Sequence, residues 1–127
     1  GILASIAYPA YRDQVRKAHR SDAHTALSEI QLRQNKLRAN CKFYGTIASA
    51  TACGSTAGAT TFAYSTTSPE GYYTLAVTGN STQAYVATAT ATGGQTDDTD
   101  CLSITLTVNA QNTSGLKGGT TPGDACW

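Results

Sequence analysis

The sequence predicts an α+β fold: one long N-terminal helix laid against an antiparallel sheet. Three observations carry this. From Tyr11 to Arg38 apolar residues recur at helical spacing, at Val15, Ala18, Ala23, Ala26, Leu27, Ile30 and Leu37, with no Gly or Pro between. The stretch Leu102-Ser103-Ile104-Thr105-Leu106-Thr107-Val108 alternates apolar and hydroxyl side chains, the pattern of a strand with one buried face. The 127 residues hold four cysteines and only 13% charged residues, against about 25% in an average soluble domain, a composition that fits exported β-structure.

The helix begins without charge, Gly1-Ile2-Leu3-Ala4-Ser5-Ile6-Ala7-Tyr8-Pro9-Ala10-Tyr11, then turns abruptly to Arg12-Asp13-Gln14-Val15-Arg16-Lys17-Ala18-His19-Arg20. A helix that is apolar at one end and charged along its shaft suits two environments. It packs or anchors by its start and carries a β-domain at its other end. The apolar run is too short to cross a bilayer, which takes about 20 residues. Pro9 is expected to kink the helix or end its first segment. At 1.5 Å per residue, a helix over residues 2–38 runs about 55 Å, so its first half is expected to protrude while its second half packs. Residues 1–40 are therefore the helix. Residues 41–127 form a connecting loop, the sheet and a disulfide-bounded tail, in one structural unit with the packed half.

Residues 41–70 read as loop, with Gly45, Gly54, Gly58 and Pro69 among Ser, Thr and Ala. Strands follow at 72–78 and 84–91, joined by a short turn, and at 102–108 after the acidic turn Asp97-Asp98-Thr99-Asp100. The expected core sets Ala23, Ala26, Leu27, Ile30 and Leu37 of the helix against Leu75, Val77, Leu102, Ile104 and Leu106.

Charge is unevenly spread. Residues 1–42 hold eight of the nine Lys/Arg and three acids, a net of +5; residues 43–127 hold Lys117 and five acids, a net of −4. Cys41, Cys53, Cys101 and Cys126 form no C-x-x-C pair and stand far from His19 and His24, which argues against zinc. Two disulfides fit instead. Three connectivities are possible, and the sequential one, Cys41–Cys53 with Cys101–Cys126, closes two short loops poor in apolar residues.

Nothing in the sequence points to catalysis. Ser21 and Asp22 adjoin His19 and His24, but local neighbours on one helix seldom make a triad, and there is no G-x-S-x-G. Asp97, Asp98 and Asp100 lack EF-hand spacing. Asn80-Ser81-Thr82 and Asn112-Thr113-Ser114 match a glycosylation triplet that arises by chance in a Thr-rich chain. The reading is a non-enzyme with no cofactor, no metal and no small-molecule substrate.

The helix start, followed by Arg20-Ser21-Asp22-Ala23, resembles the N-terminal helix of the type IV pilins. The closing pattern Asp100-Cys101-Leu102-Ser103-Ile104-Thr105-Leu106, then Gly115-Leu116-Lys117-Gly118 and Cys126-Trp127, resembles one subgroup of them, the PilE-like minor pilins and the competence pilin ComP. The resemblance implies the type IV pilin fold, a long helix on an antiparallel sheet of about four strands with two disulfides. Phe62-Ala63-Tyr64-Ser65 or the tail after Lys117 can supply the fourth strand. It also implies a processed Phe-Thr-Leu-Ile-Glu type segment upstream of Gly1, whose glutamate has no counterpart here; without it the chain is expected to be soluble and unable to assemble.

The function implied is that of a filament subunit, a minor pilin, at the bacterial cell surface. It resides in the inner membrane before assembly, held there by the upstream segment, and its partners are other pilin subunits. The filament-packing residues are Ile2, Leu3, Ile6, Tyr8 and Pro9; the β-domain is displayed for adhesion, motility or DNA uptake. The alternative is a competence pilin that receives extracellular DNA. The basic residues expected to do so are Lys36, Arg38, Lys42 and Lys117, together with Arg33 and the aromatics Phe43, Tyr44 and Tyr64. The net acidity of residues 43–127 ranks this second.

Overall fold

The computed structural model describes residues 2–127; Gly1, first residue of the expected helix, lies outside them. Helix α1 (Ile2–Asn40) is continuous through Pro9, so the expected end of a first segment does not occur. Pro9 removes one amide and deprives the Ser5 carbonyl of its partner. Residues 2–14 are exposed, so water can reach that carbonyl. The helix has 39 residues and is about 58 Å long. Among the described residues no helix is long and apolar enough to cross a membrane.

The second half of α1 packs. Ala23, Ala26, Leu27 and Ile30 are fully buried and Leu37 nearly so. They cover an antiparallel sheet of four strands in chain order: β3 (Tyr73–Thr78), β4 (Tyr85–Ala91), β5 (Ser103–Val108) and β6 (Leu116–Gly119). Two short strands, β1 (Thr46–Ala48) and β2 (Thr61–Ala63), pair in parallel beside it. The inner face of the large sheet carries Tyr73, Leu75 and Val77, then Tyr85, Ala87 and Ala89, then Ile104, Leu106 and Val108. Register sets Val77 beside Ala87 and Ala87 beside Leu106. Small side chains on the central strand, opposite Ala23 and Ala26, allow helix and sheet to approach closely.

The tail supplies the fourth strand of this sheet, and Phe62 goes to the β1–β2 pair, where it is buried. Residues 41–70 are thus less irregular than their composition suggests. Three-residue strands are too short for alternation to be legible. Leu102 departs from expectation: it is 37% exposed and lies at the end of a 3₁₀ turn, in helical backbone conformation, so it does not join the core. The preceding Cys101 is buried in its stead by a disulfide to Cys126, and the strand starts one residue later. Cys41 bonds to Cys53; Cα separations are 5.2 Å and 5.7 Å for the two bridges.

Two buried polar residues of α1 fasten the loops. Gln34 donates from Nε2 to the Gly45 carbonyl (2.7 Å) and accepts the Gly45 amide on Oε1 (2.9 Å). Gly45 must be glycine here, because a Cβ would lie 2.7 Å from Leu37 Cδ2 and 3.1 Å from the Thr60 carbonyl oxygen. Asp22 accepts the Ser68 hydroxyl and the backbone amides of Glu70 (3.0 Å) and Tyr72 (3.3 Å), which holds the entry to β3 on the helix.

Replacing Leu27 with Ala should cost about 3 kcal/mol, because the side chain is fully enclosed and leaves a cavity. Leu102→Ala, at an exposed position, should change stability by less than about 0.5 kcal/mol. Urea melts of both variants check this; equal losses would return Leu102 to the core.

Candidate nucleic-acid interface

The charge asymmetry of the sequence is partly cancelled in space. The acidic turn after β4 docks on the basic shaft of α1. Arg20 grips Asp98 with two bonds of 2.7 Å, from Nε and Nη2, and the pair is largely buried. This bond is the main reason the Arg20 pKa rises above its ordinary value, against the opposing effect of burial. Asp97 lies 3.2 Å from Arg12 and 3.6 Å from Arg16, and Arg16 also meets Asp13 at 3.0 Å. Among the described residues these are the salt bridges. Among the described residues Lys17 on the shaft forms no salt bridge, and neither do the five cations farther along the chain, Arg33, Lys36, Arg38, Lys42 and Lys117.

Four of those five sit over aromatic rings. The Arg33 guanidinium is 5.0 Å from the centre of Tyr64 and donates to the Ala63 carbonyl (3.1 Å). Arg38 is 5.5 Å from Tyr44 and donates to the Cys41 carbonyl (2.6 Å). Lys42 is 5.5 Å from Phe43, and Lys117 is 5.3 Å from Trp127. These are cation–π distances. The rings are themselves held. Tyr64 donates its hydroxyl to Glu29 (2.7 Å); burial first, then that bond, push its pKa up to about 12. Tyr44 leans on buried Tyr85 at 4.8 Å. Trp127 stacks on His24 at 5.1 Å and donates Nε1–H to the Gly118 carbonyl (3.1 Å).

The expected set of four does not form one patch. Lys36 shares one flank of α1 with Arg33, whereas Arg38, about 200° round the helix from Lys36 and seven residues after Gln31, falls on the Gln31 side and meets Tyr44; Lys42 follows the end of the helix. Lys36 lines a hollow of about 260 Å³ with Arg33, Phe62 and the Cys41–Cys53 bridge. Lys117 lies on the opposite flank of α1, in a hollow shared with His24 and Gln31. Gln31, which donates to the Ser114 carbonyl (2.8 Å), and Arg33 are about 200° apart around the helix. Arg33 belongs with Lys36 more closely than Lys117 does. The spacing of 33 and 36, neighbours on one helix face, was the signal for that.

At the other end of the helix, Ile2 (82%), Leu3 (84%), Ile6 (69%) and Tyr8 (62%) are exposed, and Pro9 stands among them. The residues that suggested a triad have structural partners. Ser21 donates to the Ala18 carbonyl (2.8 Å), Asp22 holds the β3 entry, and His24 donates from Nε2 to the Cys126 carbonyl (2.7 Å). His19 stacks on Tyr72 with centroids 3.7 Å apart.

Residues 9–105 match the family model described as "Type IV minor pilin ComP, DNA uptake sequence receptor". Lys36, Arg38 and Lys42 fall inside the matched span and Lys117 beyond it. No curated protein matches the chain.

The Tyr64 ring that supports Arg33 gives a pH signature. Its folded-state pKa is raised above the ordinary 10, so its contribution to stability is complete below pH 10 and is lost as pH rises toward 12. Tyr64→Phe should therefore lose less stability than the parent between pH 10 and 12. Thermal melts across that range check it; parallel curves would show that the Tyr64 pKa is not raised in the folded state.

Proposed function

Because the chain belongs to the type IV minor pilin ComP family, we propose that it works in the pilus as a receptor for DNA, which it meets with the cations at the C-terminal end of α1. The observation that carries this is the separation of charges. The acids that ranked DNA binding second from sequence include Asp97 and Asp98, and these are engaged by Arg12, Arg16 and Arg20. Arg33, Lys36, Arg38 and Lys42 are left without acidic partners around one end of the helix. Phosphates displace counterions there, which makes the contact favourable and salt-sensitive. Tyr64, Tyr44 and Phe43 add flat surfaces beside the cations, suited to bases or sugars. Lys117 with Trp127 forms a second, separate contact point on the far flank, reached by DNA only if it wraps around the helix end.

The filament role uses the opposite end. Ile2, Leu3, Ile6, Tyr8 and Pro9 form an uncharged exposed surface that costs free energy unless other pilin subunits cover it. The displayed domain is then carried on the filament at the cell surface, and before assembly the subunit waits in the inner membrane.

Two measurements test these roles. A short duplex selected from a random pool should bind better than its scrambled version at fixed salt, since base contacts or DNA shape are needed for such a difference. Lys36→Ala and Arg33→Ala should each lower the salt slope by about 1, and Lys117→Ala by less. Equal binding of selected and scrambled duplexes would leave only nonspecific attraction and sink the receptor reading. Separately, Ile6→Asp expressed in its cell should fold normally yet fail to enter filaments; normal incorporation would remove the packing role.

A further inference from the structure

The two disulfides differ in what surrounds them. Cys101 (2% exposed) and Cys126 (1%) are both enclosed. Cys41 (7%) is nearly covered, but its partner Cys53 is exposed. The Cys41–Cys53 bridge forms part of the wall of the hollow of about 260 Å³ at the end of α1. Arg33 and Lys36 line the same hollow, and neither is held in a salt bridge. Among the described residues no acid lines it. A disulfide is opened by a thiolate, an anion, that attacks a sulfur within reach. An exposed cysteine in a cationic hollow meets both conditions; the enclosed Cys101–Cys126 bridge fails the second. The carbonyl end of α1 disfavours a thiolate at Cys41, and the cations of the hollow offset it.

The bridge ties down only a short stretch. Thr51 and Ala52 stay on β2 without it. Ala52 exchanges two backbone bonds of 3.0 Å with Thr61, and Thr51 Oγ1 accepts the Ala63 amide (2.9 Å). On the other side Tyr44 is clasped: its amide donates to the Ser81 carbonyl (2.9 Å), and its carbonyl accepts from Asn80 Nδ2 (3.1 Å). Leu37 is anchored in the core. Between Leu37 and Tyr44, apart from the bridge, the hydrogen bonds among the described residues are local to the helix end. The Cys41 amide donates to the Leu37 carbonyl, Arg38 to the Cys41 carbonyl and Asn40 to the Lys36 carbonyl. Lys42 and Phe43, both on the proposed DNA surface, sit in this stretch. Opening the bridge therefore loosens them while the sheet and its helix stay packed.

We propose that the Cys41–Cys53 bridge is a thiol–disulfide exchange site, opened by a dithiol reductant whose thiolate enters this hollow, and that opening it weakens DNA binding. The second half rests on the receptor reading above; the first does not. The reductant's thiolate attacks Cys53 Sγ and forms a new S–S bond there. The bond to Cys41 breaks, and its electron pair leaves on Cys41 Sγ. The reductant's second thiolate then displaces Cys53 Sγ, and the reductant departs as a disulfide. Two electrons have passed to the bridge, and the two protons lost by the reductant end on Cys41 and Cys53. Once loosened, Lys42 and Phe43 must be ordered again at each binding event, which costs affinity.

In native buffer, dithiothreitol followed by an alkylating mass tag should label Cys41 and Cys53 about tenfold sooner than Cys101 and Cys126. With the anionic monothiol mercaptoethanesulfonate, the mixed disulfide should map to Cys53. Its rate per thiolate should exceed that of the cationic thiol cysteamine, and Lys36→Gln should shrink that ratio about threefold. Protein with this bridge alone opened and capped should keep its near-ultraviolet circular dichroism yet bind the selected duplex about tenfold more weakly. An uncapped sample should recover on reoxidation. Equal labelling of all four cysteines, or labelling only in denaturant, would overturn the exchange site. Loss of the dichroism signal on opening would make the bridge a structural staple, and unchanged affinity would sever it from DNA binding; either result overturns the second half. The two readings fail separately. If the oxidised protein does not prefer the selected duplex, the receptor reading falls, while the order of labelling still decides the exchange site.

Discussion

One stripe of α1 holds the rest of the molecule in place. Between Asp22 and Leu37 the helix presents, at helical spacing, a carboxyl, two alanines, three large aliphatic side chains and an amide, all buried. The aliphatic groups remove the inner face of the sheet from water. The polar groups fasten the chain on either side of it. Gln34 pairs with both backbone groups of Gly45, much as a neighbouring strand would. Asp22 takes three hydrogen bonds from the segment that enters β3. Buried polar groups are tolerated only when they are bonded, so each fastening also fixes the loop it grips. The two disulfides act at the ends of this arrangement, one where α1 gives way to the loop and one where the tail returns beside β5.

That arrangement sorts charge along the molecule. Pinning the turn at 93–101 beside the middle of α1 brings its acids onto Arg12, Arg16 and Arg20. The Arg20–Asp98 pair is bidentate and screened from water, so it also anchors the turn; removing one partner of such a pair strands the other. The pairs between Asp97 and its arginines are half exposed and contribute little to stability. Their effect is on the field. The middle of the helix becomes locally compensated, while the helix end keeps its positive charge and its rings. A partner bearing phosphates therefore meets a sign preference at one end of the domain, and an apolar partner meets an uncharged surface at the other.

Much of the fold was legible from residue pattern. The helical recurrence of Ala23, Ala26, Leu27, Ile30 and Leu37 identified the packed face, since burial along a helix repeats with the turn. Position 34 lies on the same stripe, four after Ile30 and three before Leu37, so Gln34 was findable as a buried amide. The strands expected over 72–78, 84–91 and 102–108 are found at 73–78, 85–91 and 103–108, each starting one residue later; alternation marked the first and third. It did not mark β1 and β2, because three residues cannot display a period. Leu102 was misread because it continues the alternation by one step, and alternation carries no information about where a neighbouring disulfide turns the backbone.

Features that depend on neighbours along the chain are readable from residue order: the helix with its uncharged start, the long strands, the family, and the presence of a basic half and an acidic half. Features that depend on distant residues meeting follow from the fold alone. Asp98 lies 78 residues from Arg20, and Trp127 lies 103 residues from His24; no local pattern announces either contact. The same holds for the split of the basic residues, since Lys117 and Lys36 are alike in sequence and fall on opposite flanks of one helix. Net charge is a sum along the chain, but the field that a partner feels depends on which charges the fold has already paired.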